Sequence, residues 1–144
     1  MKRAAIDANV IVRFLTGEPP EMARQALDLF AAAGRAELVL ELDDIVLAET
    51  VWVLTSFYKQ PVPDVARALQ ELLANTAIQS ADKAMLVEAL SLFAEHNVDF
   101  ADALLAVRMR RRGINEVVSF DTHFDRLPGI VRINPGAFTQ PAPG

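Results

Sequence analysis

"AAIDANVIV", residues Ala4–Val12, sets an apolar run against a carboxylate and then starts a second apolar run. Residues 1–8 read as a short, mostly buried strand with Asp7 near its end. Residues 9–16 read as a helix, ended by Gly17 and the Pro19-Pro20 pair. The rest of the chain repeats this alternation. Residues 20–33 carry Met22, Ala26, Leu27, Leu29 and Phe30 at helical spacing, and Gly34 closes the run. "ELVLEL" (Glu37–Leu42) alternates as a strand. "DDIVLAETVWVLTSFY" (Asp43–Tyr58) reads as a helix, and Pro61 and Pro63 then break the chain. Helices are expected over 64–74, 82–97 and 99–112, with a short strand at Ile78. "EVVSF" (Glu116–Phe120) and "IVRIN" (Ile130–Asn134) are strands, and 136–144 reads as a flexible Pro/Gly-rich tail.

Strands separated by helices imply a parallel sheet covered on both faces. Ligands of such sheets sit outside the carboxyl ends of the strands. Asp7 and Asp121 occupy those ends.

The composition narrows the class. A chain of 144 residues, 52% hydrophobic, suits one domain with a real core. No apolar stretch nears the roughly 20 residues that cross a bilayer, and no signal-peptide pattern opens the chain, so no membrane association is expected. The absence of cysteine excludes disulfides and thiolate metal sites and fits a cytoplasmic protein. With a net charge of −5, any nucleic-acid role needs a local basic patch.

Four acids stand beside apolar sequence. Glu49 is flanked at helical spacing by Ile45, Val46, Trp52 and Val53, so it is expected within the core-facing stripe; the bland alternative is a stripe edge reaching water. Asp102 is followed on its helix by Leu105, Ala106 and Met109. Asp99 reads as that helix's N-cap, which puts Asp102 where the helix dipole also favours a carboxylate. Asp7 and Asp121 are each explicable as turn residues. Together, the four would repel one another, and a hard divalent cation would offset that repulsion. With two scattered histidines and no cysteine, zinc is disfavoured. His96 and His123 are left out of the candidate site.

The segments "AIDANVIVRFL", "LAETVWVL", "DFADALLA" and "SFDTHFDRL" occur in the order and spacing of a PIN-domain ribonuclease. More narrowly, the chain resembles the VapC-type toxins of type II toxin–antitoxin pairs, from Ile6 to about Leu127. The resemblance implies one PIN domain over 1–135, with a three-layer α/β/α fold and a central parallel sheet of about four to five strands. It places the catalytic, metal-binding acids on Asp7, Glu49, Asp102 and Asp121. Asn9 and Ser119 fall on supporting polar positions, and Asp99 and Asp125 are possible extra acids. It implies a Mg²⁺- or Mn²⁺-dependent endoribonuclease, an RNA substrate, a cognate antitoxin and a homodimer. Such a toxin inhibits translation and growth until the antitoxin neutralises it.

Positive charge for RNA is expected from Arg13 and from Arg108, Arg110, Arg111 and Arg112 at the end of the Asp102 helix. A helix C-terminus also favours cations for its own dipole. A haloacid-dehalogenase phosphatase would want a second Asp where Asn9 stands, and a receiver domain would want adjacent early acids and a late lysine. The alternatives that remain are a PIN nuclease of RNA processing and a non-catalytic RNA-binding scaffold on the same fold.

Overall fold

In the computed structural model, which describes residues 2–138 and 142, the opening strand β1 (Lys2–Ala5) leads through Asp7 into α1 (Ala8–Thr16). Gly17 ends that helix in the left-handed conformation, at φ 73°, with its amide donating to the Arg13 carbonyl. Helix α2 (Pro20–Gly34) packs back on α1 and returns the chain to β2 (Leu38–Glu41). There follow α3 (Asp44–Trp52), a π-helical turn over Val53–Phe57, α4 (Val62–Ala74), β3 (Ile78–Gln79) and α5 (Lys83–His96). Helix α6 (Phe100–Arg111) precedes β4 (Glu116–Val118), a 3₁₀ turn over Thr122–Arg126 and β5 (Val131–Ile133).

All the strand pairings are parallel, as helical crossovers require. β2 is central to one ladder, with Lys2 opposite Leu38 and Leu40 opposite Ile78. β4 and β5 form a second ladder, with Glu116 opposite Val131. The pairing runs on past the strand ends: Ile6 N–H donates to the Glu41 carbonyl at 3.0 Å, and Ser119 N–H to the Ile133 carbonyl at 3.1 Å. Both continuations point the chain at an acid, Asp7 in one case and Asp121 in the other.

Two local readings change. Helix α4 begins at Val62 rather than 64, because Pro63 fits the first turn, where its missing N–H is not needed. The expected helix over 43–58 is interrupted by the π turn, where Tyr58 N–H reaches back to the Val53 carbonyl. At the other end of the chain, Pro135–Phe138 form a 3₁₀ turn, so the first residues of the expected tail are structured. Residues 139–141, 143 and 144 lie outside the described residues.

The core gathers Ile11, Leu40, Leu47, Leu54, Leu69, Ile78 and Leu90 from both sheet and helices. Burying each such side chain contributes on the order of 2 kcal/mol. The burial of α3 runs through Leu47, Thr50, Val51 and Leu54, a helical stripe. Thr50 belongs to it because its hydroxyl donates to the Val46 carbonyl at 2.8 Å and so enters the core satisfied.

Candidate active site

Glu49 is exposed, which corrects its expected place in the core stripe. α3 is apolar nearly all round, so its periodicity does not choose a face. Packing takes the Thr50 side and leaves Ile45 at 77% and Trp52 at 65% exposure beside Glu49. The carboxylate therefore stands at the surface, flanked along the helix by two uncovered apolar side chains.

Asp7 is the N-cap of α1, and its Oδ1 accepts from the Ala8 amide at 2.8 Å. That bond fixes the carboxylate at the positive end of the helix. α1 packs against α3, and α3 against α6, so the elements carrying Asp7, Glu49 and Asp102 adjoin in sequence.

Asp102 lies in the first turn of α6, half-buried. Burial pushes its carboxyl above the usual range, and the charges of Asp121 and Asp99 push the same way; His123 opposes them. Asp99 stands at the N-cap position, but its side chain makes no capping bond, contrary to the expectation from sequence. Its charge acts on Asp102 instead.

Asp121 caps the 3₁₀ turn that follows β4 rather than ending the strand itself. Its Oδ1 accepts from the His123 amide at 2.8 Å, and its own N–H donates to Ser119 Oγ at 2.9 Å. Ser119 thereby bonds the backbone that presents Asp121. His123, passed over in the sequence, sits with Nδ1 3.4 Å from Asp121 Oδ1. Its position two residues beyond a capping Asp was the clue, because an Asx-type turn brings residue i+2 back over the carboxylate.

Arg132 was also missed. It donates from Nε to Asp125 Oδ1 at 3.1 Å and from Nη1 to the Ser119 carbonyl at 3.2 Å. Asp125 is therefore tied to β5. By contrast, none of Asp7, Glu49, Asp99, Asp102 or Asp121 pairs with Lys or Arg among the described residues.

The expected basic cluster is largely paired. Arg108 binds Asp44, Arg111 binds Asp82, and Arg110 lies 3.6 Å from Glu88. Arg112 has no ion pair among the described residues. Arg13 is half-buried and donates from Nη1 to Tyr58 Oη at 3.1 Å.

Among known proteins, the PIN domain family matches residues 4–130. The chain belongs to the PIN-domain family. It is also similar to a VapC ribonuclease of Aquifex aeolicus strain VF5, with 28% identity over 130 residues, covering 90% of this chain and 95% of that one. The PIN match spans every element from β1 to the turn before β5, and so includes all the acids above. No helix among the described residues is long and apolar enough to cross a membrane.

The PIN acids form a field more than a cage. Among the described residues, no three His, Asp or Glu side chains stand close enough to hold one metal ion together. The donors nevertheless fit a hard divalent cation in kind. They are carboxylate oxygens without Lys or Arg partners among the described residues, and Asp102 already feels two like charges. Mg²⁺ commonly takes one or two protein carboxylates and keeps water in its other positions.

Proposed function

We propose that this PIN domain is a VapC-type toxin: a Mg²⁺- or Mn²⁺-dependent endoribonuclease that inhibits translation and growth and is neutralised by a cognate antitoxin. The observation that carries this reading is a set of acids with no Lys or Arg partner among the described residues. Asp102, Asp121 and Asp99 share one field, and Asp7 and Glu49 stand on the adjoining helices. The similarity to a VapC ribonuclease over nearly the whole chain supports the toxin class.

Asp7, Glu49, Asp102 and Asp121 would share the cation, some of them through coordinated water, since no three acids stand close enough to hold it directly among the described residues. When bound, a divalent ion lowers the pKa of a coordinated water and neutralises charge developing on phosphoryl oxygens. The chain's own part is positional. The α1 amide fixes Asp7, and the Asx turn and Ser119 fix Asp121. Glu49 is exposed and makes no side-chain bond among the described residues, which would leave it free to move to meet the substrate. Arg132 holds the Ser119 loop against β5 and keeps Asp125 out of the acid field.

The exposed apolar side chains of α3 and α6 support a homodimer. Ile45 and Leu105 border a cleft between these helices that Ala48 and Leu104 also line. Covering that surface in a second copy would remove it from water. A cytoplasmic location follows from the toxin reading, because the RNA targets are there.

The spacing of the acids favours one alternative, a non-catalytic RNA-binding scaffold. Cleavage decides between them. Wild type with Mg²⁺ should cut RNA to leave 5′-phosphate ends, and Asp7→Asn should abolish cutting while still binding RNA. Equal cleavage by Asp7→Asn would sink the nuclease reading.

A further inference from the structure

A cavity of about 270 Å³ opens between α1 and α2, two residues along α1 from Asp7. Val10, Met22, Ala26 and Leu29 give it apolar walls. Its polar groups are the amides of Asn9 and Gln25 and the guanidinium of Arg13. Arg13 is anchored through Nη1 to Tyr58, and its Nε is buried without a partner. Neither amide side chain makes a hydrogen bond to the protein among the described residues.

We propose that this cavity is a base pocket that takes one unpaired guanine of the RNA next to the cleaved bond. Single-stranded RNA is read in this way, by a flat apolar slot for the face of a splayed base and hydrogen-bonding side chains for its edge. Guanine presents O6 and N7 as acceptors, and Arg13 Nη2 makes no hydrogen bond among the described residues while Nη1 is held by Tyr58 and the Glu18 carbonyl. An amide offers both a donor and an acceptor, so Asn9 and Gln25 can meet the remaining N–H groups of the base. Among the described residues Arg13 is the only charged group lining the cavity, and its sign suits a polyanion. Asn9 belongs both to this pocket and to the turn after Asp7, which places a bound base next to the acids.

The inference rests on the ribonuclease reading, and the test separates the two. Four fluorescent single-stranded oligouridylates, differing only in one central base, are titrated with the full chain in EDTA, where a metal-dependent nuclease is silent. The guanine oligonucleotide should bind about tenfold more tightly than the other three. Gln25→Leu, at an exposed position of similar size, should shrink the difference to within twofold. Met22→Ala should weaken binding of the guanine oligonucleotide more than of the others. An equal affinity for all four bases in wild type, or an undiminished preference in Gln25→Leu, overturns the pocket. So does a flat base profile in which Gln25→Leu instead weakens binding of a cognate antitoxin, because the cavity would then seat a peptide side chain. Cleavage of the same oligonucleotides with Mg²⁺ is scored separately. No cleavage with the guanine preference intact would overturn the nuclease reading and leave the pocket standing.

Discussion

Replacing Asp102 by Asn removes one charge from the acid field and keeps the shape of the side chain. The magnitude follows from its surroundings. Burial, the largest cause, and the two like-charged neighbours Asp121 and Asp99 together cost the charged form on the order of 1 kcal/mol, after allowance for solvent screening and for the opposing His123. The first turn of α6 returns roughly 0.3–1 kcal/mol through the helix dipole. The net expectation is that Asp102→Asn is about 0.5 kcal/mol more stable than wild type at pH 7 in EDTA, a rise of roughly 1–3 °C in Tm.

The pH dependence gives the sign. The folded Asp102 carboxyl holds its proton more tightly than the unfolded chain does. Wild type therefore recovers this stability as pH falls through the raised folded pKa, and recovers it fully below the ordinary carboxylate range. The advantage of the variant should be present at pH 7 and gone near pH 3.5. Urea titrations of both proteins at several pH values measure it, because the difference between them cancels the other titrating groups. Mg²⁺ at about ten times its Kd should stabilise wild type by about 1.4 kcal/mol and the variant by much less. A variant less stable than wild type at pH 7 in EDTA, or a gap that widens in acid, would refute the electrostatic account of this site.

Leu54→Ala, at a fully buried position in the π turn, should cost about 2–5 kcal/mol in chemical denaturation; a loss under 1 kcal/mol would mean that the turn repacks. Thr50→Val should stay within about 1 kcal/mol of wild type, since it removes a hydroxyl whose bond is local and leaves its acceptor in the helix ladder. Ile45→Lys with Leu105→Glu should convert a dimer to a monomer by light scattering without lowering Tm, because both residues are exposed in the single chain; an unchanged mass would place the interface elsewhere. Arg132→Met should release Asp125 and loosen the Ser119 loop, raising hydrogen exchange at the Ser119 and Asp121 amides. Unchanged exchange would show that the β4–β5 ladder alone holds the loop.

Much of the fold was legible because strand and helix periods alternate and Gly and Pro punctuate them. What the pattern could not choose was the face of α3. Every side of that helix carries apolar residues, so the buried stripe was set by packing, and it ran through Thr50, a residue whose polarity hides its fit in a core. Glu49 was found for the wrong reason: it drew attention as a buried charge and proves to be an exposed one. Asp99 was misread in the opposite sense, assigned a capping bond it does not make. The pairing of Arg108, Arg110 and Arg111 with acids of α3 and α5, or just before α5, joins residues far apart in sequence, which no local spacing encodes.

These errors share a cause, and it bears on how the site works. Sequence reasoning looks for carboxylates that burial makes costly, yet only Asp102 shows that cost clearly. The other acids are held by short local bonds, or by none, in water. Such a site costs little stability while empty of ligand, because screening keeps its repulsion small. As a cation site it would gain affinity once something lowered the local dielectric and restrained Glu49. An RNA strand crossing the acids would do both, since its phosphate supplies oxygen ligands and its bases exclude water. Metal binding and RNA binding should then be coupled, each tightening the other by the same factor.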